Sequence, residues 1–158
     1  MGHRNPPAAV EEQWETLLAD AEAMADEYAE EGTEPFVVHA GDVTPLTGEP
    51  FGLDVLAPGD EFEALEERVA DATFEASHVY RTEAGAARLF VVVVEGSLPD
   101  SGGADPDVAV LVPAFLSLER APPLEARARE AGVMYTHVRP LSNDARVTFT
   151  HDDPELFF

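Results

Sequence analysis

The stretch Ala87-Arg88-Leu89-Phe90-Val91-Val92-Val93-Val94-Glu95 decides how this chain folds. Every position from Leu89 to Val94 is apolar. Successive side chains of a strand point to opposite faces of the sheet, so this segment presents apolar side chains on both sides. We therefore expect a strand inside a sheet whose two faces are both covered.

The segments on either side of this strand also have strand character. Residues 73–81 precede it across a turn at Glu83-Ala84-Gly85, and residues 108–116 follow it, with a break or bend expected at Pro113. Further along the chain, residues 133–139 and 145–151 predict a hairpin closed around residues 140–144. Because short turns join neighbouring strands, antiparallel pairing should dominate.

The remaining segments predict three helices and two more strands. The helices are expected at residues 8–31, from Asp60 onward and from Pro122 to Gly132, the strands at residues 35–40 and 51–57, and a turn-rich stretch at residues 41–50. The order is α-β-β-α-β-β-β-α-β-β. We predict an α+β fold with three helices and a mostly antiparallel sheet of about five to seven strands.

The 158 residues predict a single domain, residues 1–158. Gly, Pro, Ser and Asp crowd residues 96–106, which predicts a mobile loop there. The chain ends on a short aromatic tail, Glu155-Leu156-Phe157-Phe158. We expect its two phenylalanines to be exposed.

The charge balance is strongly acidic, and lysine is absent. Nine arginines stand against 32 aspartates and glutamates, which gives a formal net charge of −23. Repulsion among so many carboxylates loosens a small domain at ordinary ionic strength. At about 1 M salt the Debye length falls to about 3 Å and the repulsion is screened. The composition therefore predicts a halophilic protein of a salt-rich cytoplasm.

The same composition excludes several classes of function. The chain has no cysteine, hence no disulfide and no thiolate metal site. Its acidity opposes binding to nucleic acid, whose affinity comes largely from Lys and Arg. No apolar run reaches the roughly 20 residues that span a bilayer, so we expect no membrane partner. No cofactor motif occurs, and we predict no cofactor.

Positive charge is concentrated near the predicted hairpin. Five of the nine arginines lie within residues 120–146, beside three acids. A two-residue period groups Tyr135, His137 and Arg139 on one strand face and Arg146 and Thr148 on the other strand. A symmetric turn sets the two arginines opposite each other, which is unfavourable unless an anion lies between them.

These five residues are the candidate ligand-binding site, for a carboxylate or a phosphate, with His137 as donor or proton carrier. The alternative is structural: aspartates or glutamates from a helix or a second subunit neutralise the arginines.

A divalent-metal hydrolase is a further alternative. His151, Asp152 and Asp153 are ligand types for Mn, Zn or Mg. Adjacent residues of an extended chain point apart, so other ligands are needed, and the available ones are His39, Asp42, Asp54 and His78. Acid clusters in an acidic protein are mostly solvated surface, and we predict no native metal.

Residues 109–115, 135–141 and 149–154 resemble a family of short, acidic haloarchaeal proteins without an assigned function. The resemblance runs from about Trp14 to the end of the chain. It implies a salt-adapted cytoplasmic protein and no particular activity.

The sequence therefore favours a non-enzymatic binding or self-associating domain, with a homo-oligomer as the expected assembly. The aromatic tail and the arginine-bearing hairpin are the expected contact surfaces, since buried aromatics and arginine dominate interface energetics. The alternatives are the small-anion binding protein or enzyme of the hairpin and the metal hydrolase around His151 and Asp153. No catalytic residue is identified.

Overall fold

A computed structural model of the protein describes residues 8–102, 105–141 and 145–158. Within these ranges the chain forms three α-helices, eight strands and a short 3-10 helix at Pro154–Leu156. The elements are α1 (Ala8–Glu30), β1 (Glu34–Val37), β2 (Asp42–Thr47), β3 (Phe51–Leu56), α2 (Gly59–Val69), β4 (Thr73–Ala84), β5 (Ala87–Ser97), β6 (Val108–Ser117), α3 (Ala121–Ala131), β7 (Met134–Arg139) and β8 (Val147–His151).

The α+β prediction is confirmed, with one difference in how the strands are grouped. The strands form two four-stranded sheets, a first sheet of order β1-β6-β5-β4 and a second sheet of order β2-β3-β7-β8. Antiparallel pairing dominates, and the parallel pairs are β1 with β6 and β3 with β7. The parallel pairs join strands far apart in sequence, which is why local patterns do not reveal them.

Strand β5 is covered on both faces, as its apolar run predicts. Leu89, Val91 and Val93 pack with Leu17 and Ala21 of α1 in one cluster of buried residues. The alternate positions of β5, Phe90, Val92 and Val94, belong to a second cluster, which includes residues of the second sheet such as Leu53, Val55 and Val138. The two sheets therefore share one hydrophobic core, and α1 packs against the opposite face of β5.

The predicted turn-rich stretch contains a strand, β2, that the sequence pattern conceals. Pro45 lies within β2, and β2 is at the edge of the second sheet. An edge strand tolerates proline because the missing N–H need not donate to a neighbour. The stretch is therefore a strand rather than a turn from Asp42 to Thr47.

Strand β6 is continuous through Pro113, and the expected break is wrong. Its partner β1 pairs with β6 only from Val108 to Leu111. Pro113 is opposite Val91 of β5, beyond the end of the β1 pairing. On the β1 side no ladder hydrogen bond is needed at that point, which removes the cost of proline.

The C-terminal segment is buried rather than exposed. The Phe157 side chain is fully buried in the shared core and lies 5.7 Å from Phe90 and 5.1 Å from His151 between ring centroids. Phe158 is partly buried. The expectation of an exposed aromatic tail is therefore wrong, because the 3-10 turn at Pro154–Leu156 directs the chain back onto the sheets.

Parts of two predicted loops lie outside the described residues. These are residues 103 and 104 of the expected mobile loop and residues 142–144 of the hairpin turn. At the near end of the first loop, the Leu98 N–H donates to the Asp107 carboxylate at 2.8 Å. The mobility of this loop stays a prediction.

Candidate functional site

The hairpin forms with the register that a symmetric turn predicts. His137 pairs with Thr148 and Tyr135 pairs with Thr150. Val138 of β7 and Phe149 of β8 are buried in the core. The period therefore sends Tyr135, His137 and Thr148 toward the opposite face of the second sheet.

Arg139 does not join the other predicted ligands. Its Nε donates to the Asp54 carboxylate at 2.8 Å, and Asp54 is only 7% exposed. The other Asp54 carboxylate oxygen is buried without a hydrogen bond in the described structure. A buried carboxylate needs a partner charge, and the parallel pairing of β3 with β7 brings one to it. An acid therefore neutralises Arg139, but it comes from strand β3 and not from the helix or second subunit that the alternative named.

Arg146 is in a different environment from Arg139. It precedes β8, and its side chain is exposed. Among the residues with described positions, no carboxylate lies within the 4.0 Å ion-pair distance of its guanidinium. Arg146 instead lines a surface cleft whose lining does not include Arg139, so the two arginines that the sequence groups together have different surroundings.

The cleft has a volume of about 400 Å³ and contains four of the five predicted residues. Tyr135, His137, Arg146 and Thr148 form one side. The other side is formed by residues that the site prediction omitted, namely Gly48, Glu49, Pro50, Phe51 and Arg127. Arg127 was visible as part of the cationic segment, but the turn between β2 and β3 reaches the hairpin only through tertiary pairing.

Aromatic rings form the wall between the turn and the hairpin. The Phe51 and Tyr135 rings meet edge to face at a centroid distance of 5.0 Å. Tyr135 and His137 have nearly parallel rings, 5.9 Å apart and inclined by 25°. The guanidinium carbon of Arg127 lies 4.4 Å from the Phe51 ring centre, a cation–π distance.

Arg127 is located beside this wall by the amphipathic pattern of α3. Leu124 and Ala128 of this helix are buried in the core, so Arg127 lies at the margin of the buried face. Its only described acidic contact is Glu49, at 3.6 Å, and the Glu49 side chain is 94% exposed. An ion pair so exposed contributes little stability. The Glu49 carboxylate therefore neutralises Arg127 only weakly, and the Arg127 guanidinium remains a positive charge at the cleft.

Gly52 makes the close approach of β3 to β7 possible. Its φ of +129° is a conformation that L side chains rarely adopt. A Cβ at this position would lie 2.3 Å from the Tyr135 carbonyl oxygen. Glycine is therefore required where Phe51 meets Tyr135.

His137 is held as a neutral hydrogen-bonded group. Its Nε2 lies 2.8 Å from the Phe51 carbonyl, which only accepts, so Nε2 carries the proton. Burial is the main cause that lowers the pKa of His137; the Phe51 carbonyl opposes it and the Arg146 charge reinforces it. The neutral ring then accepts from the Thr148 hydroxyl at Nδ1, at 2.9 Å. In the described structure both ring nitrogens of His137 thus have protein partners, and its role as donor or proton carrier stays a prediction.

Both ring nitrogens of His151 are also hydrogen-bonded to protein groups, which disfavours the metal-hydrolase alternative. It is fully buried, with Nδ1 2.8 Å from the Ser77 hydroxyl and Nε2 2.8 Å from the Thr136 hydroxyl. An oxygen of Asp153 accepts from the Glu155 N–H as a helix cap. Across the described residues, no group of three His, Asp or Glu side chains is arranged to hold a metal ion.

Three of the other proposed metal ligands have separate partners. His39 contacts Glu61 at 2.9 Å, and His78 contacts Glu95 at 3.3 Å. Asp54 is paired with Arg139. These side chains are therefore used in separate contacts.

A family model matches residues 3–158, nearly the whole chain. The chain belongs to DUF7529, a family of unknown function. No curated protein and no solved structure matches it significantly. Membership of DUF7529 agrees with the resemblance to an uncharacterised family and assigns no activity. None of the described helices of this DUF7529 member has the length and apolarity needed to cross a membrane.

Proposed function

We propose that this protein is a non-enzymatic binding protein that holds a small anion in the cleft between the β2–β3 turn, α3 and the β7–β8 hairpin. The observation that carries the proposal is Arg146. Its guanidinium lines a concave site, and no described carboxylate neutralises it. Arg127 supplies a second cation at the same cleft.

Binding without catalysis is supported by the hydrogen bonds of His137. Both ring nitrogens are engaged, one with a backbone carbonyl and one with the Thr148 hydroxyl. A general acid or base must exchange its proton with the ligand, and this ring has no nitrogen left for that exchange. His137 and Thr148 therefore shape the cleft floor.

We also propose that the protein works in a cytoplasm of molar salt and associates with a second copy of itself. The salt adaptation is supported by the net charge of −23 and the absence of lysine. The aromatic tail, one of the two surfaces expected to mediate self-association, does not expose Phe157, because this side chain is buried. The arginine-bearing hairpin remains the surface on which that part of the proposal depends.

The test is a titration of isotope-labelled protein with sodium acetate, sodium phosphate and sodium benzoate in about 3 M KCl, observed by NMR. Amide signals of Gly48, Glu49, Phe51 and residues 146–148 should shift with at least one probe. Arg146→Gln should weaken binding about tenfold or more, because charge-assisted contacts are the strong ones.

Arg129→Gln is the matched control for this titration. Arg129 is another arginine with an exposed guanidinium, but it is already paired with Glu155 at 2.7 Å. Its replacement should leave probe binding unchanged. If none of the three anions shifts the cleft signals, the proposed function is wrong.

A further inference from the structure

The walls of the cleft are more aromatic than the capture of a bare inorganic anion requires. Phe51 and Tyr135 pack edge to face, and the His137 ring lies nearly parallel to Tyr135. Tyr135 is half-buried. Flat rings of this kind bind flat apolar surfaces through offset or edge contacts. An inorganic phosphate makes no use of such a wall.

The cations of the cleft suit one end of a ligand rather than its whole surface. Arg146 is exposed beside the hairpin, while the Arg127 guanidinium lies over the Phe51 ring. A guanidinium offers paired N–H donors that match the two oxygens of a carboxylate. The charged end and the flat body of one ligand are thus served by different residues of the same cleft.

The size of the cleft fits an organic molecule. Its volume of about 400 Å³ lies within the range of about 300–1,000 Å³ that is usual for small-molecule sites. A bare phosphate or acetate ion would leave most of this volume to water. A ring with a carboxylate fills more of it and removes apolar surface from water.

High salt shifts the balance further toward such a ligand. At about 1 M salt, charge–charge attraction is screened beyond about 3 Å, so a compact anion keeps only its direct contacts and competes with chloride. Ring contacts are not screened in this way, because burial of apolar surface is not an interaction between charges. The selectivity of the cleft for its ligand over compact anions must then come from the aromatic wall.

We infer that the ligand of this cleft is a planar aromatic carboxylate, whose ring lies against Tyr135 and whose acid group contacts Arg146. Phe51 is only 6% exposed and the Arg127 guanidinium lies over its ring, so Phe51 packs against Tyr135 rather than against the ligand. This inference rests on the proposed function, since it specifies the ligand of the same site. It goes beyond that function by placing most of the selectivity in the rings rather than in the arginines.

The test compares benzoate with cyclohexanecarboxylate and acetate on the wild-type protein in about 3 M KCl. All three carry one carboxylate, and the first two have rings of six carbons, of which only benzoate is flat. Benzoate should bind about tenfold more tightly than either of the others, as aromatic contacts of this kind allow. The comparison needs no variant, so a folding defect cannot obscure it.

Two variants separate the roles of the wall and the cation. Tyr135→Leu should lower benzoate affinity several-fold and leave acetate affinity unchanged, whereas Arg146→Gln should lower both. The NMR spectrum of each variant shows whether it is folded.

The outcomes distinguish the inference from the proposed function. If cyclohexanecarboxylate or acetate binds as tightly as benzoate, the aromatic selectivity is wrong and the anion site stands. If phosphate binds and no carboxylate does, the ligand class is wrong. If nothing binds, both fail together.

Discussion

His137 and His151 lie three pairs apart on the hairpin ladder, and both ring nitrogens of each are hydrogen-bonded. His151 connects Ser77 of the first sheet with Thr136 of the second sheet. Because both of its partners are hydroxyl groups, the neutral ring donates from one nitrogen and accepts at the other. Each ring is therefore a structural group that favours the uncharged state.

The pH dependence of folding should reveal the buried state of His151. Burial lowers its pKa from 6.5 to about 4. Between these values the unfolded chain takes up a proton that the folded chain does not, so the stability present above pH 6.5 is lost as the pH falls toward 4. The contribution of His151 alone to this loss is about 3 kcal/mol. The measurement is an NMR titration of the ring signals, with denaturant unfolding at each pH.

His39 provides an internal control in the same spectra. The Glu61 hydrogen bond is the main cause that raises its pKa, with Glu22 adding to it and partial burial opposing it. His39 should therefore titrate above its ordinary value and His151 well below. His151→Gln should reduce the loss of unfolding free energy between pH 6.5 and 4. Part of this loss should remain, because other groups still titrate in the variant. A His151 midpoint near 6.5 would contradict the buried, neutral assignment.

At the scale of elements, the cleft depends on how β3 enters the second sheet. Phe51 and Gly52 begin this strand, and β7 runs parallel beside it from Leu53 onward. The Phe51 carbonyl accepts from His137, and its ring meets Tyr135. One strand start thus determines both the aromatic wall and the tautomer of the histidine.

Gly52→Ala should destabilise the protein by about 2–4 kcal/mol, because the new methyl group meets the Tyr135 carbonyl and the positive φ disfavours a side chain. Gly48→Ala is the matched control, since a Cβ there meets nothing within 4 Å. Its effect should stay within about 0.5 kcal/mol. The measurement is denaturant unfolding of both variants beside the wild type. Equal stabilities of the two variants would show that β3 approaches β7 less closely than described.

At the scale of the whole molecule, the net charge of −23 predicts electrostatic repulsion among the carboxylates. Helix α2 illustrates it, since Glu63, Glu66 and Glu67 are all exposed on one helix of 11 residues. Few arginines are available to offset such clusters, and several are used in specific pairs, as Arg139 is with Asp54. We expect dissolved ions to screen the remaining negative charge.

Stability should therefore rise steeply with salt. We expect the melting temperature to increase between about 0.1 M and 3 M KCl, because screening removes repulsion that opposes the compact state. Thermal unfolding followed by circular dichroism measures this. Sorbitol at matched osmolality is the control, since it stabilises by exclusion from the protein surface without screening.

A triple replacement, Glu63→Gln with Glu66→Gln and Glu67→Gln, tests the cause directly. It should raise the melting temperature in low salt and reduce the dependence on KCl. A wild-type protein that is equally stable in electrolyte-free buffer would overturn the screening explanation.

The elements that local pattern predicts well are those whose signal lies within one segment. The apolar run of β5, the helix expected at residues 8–31 and the alternation of β7 and β8 each have a signal of this kind, and each element forms as expected. Strand β2 was missed because proline and glycine around it resemble a turn, and only an edge position makes Pro45 acceptable. Phe157 was misjudged because nothing within the tail reveals the core that receives it.

The candidate site divides in the same way. The two-residue period identified Tyr135, His137, Arg146 and Thr148, which line the cleft. The sequence alone thus determined the hairpin and the charge of the molecule, because these depend on neighbours along the chain, whereas the register followed only if the turn was symmetric. Only the tertiary structure decided that Arg139 pairs with Asp54 and that Phe51 and Arg127 complete the cleft. The reason is that parallel strand pairing and helix packing bring together residues more than 70 positions apart in the sequence.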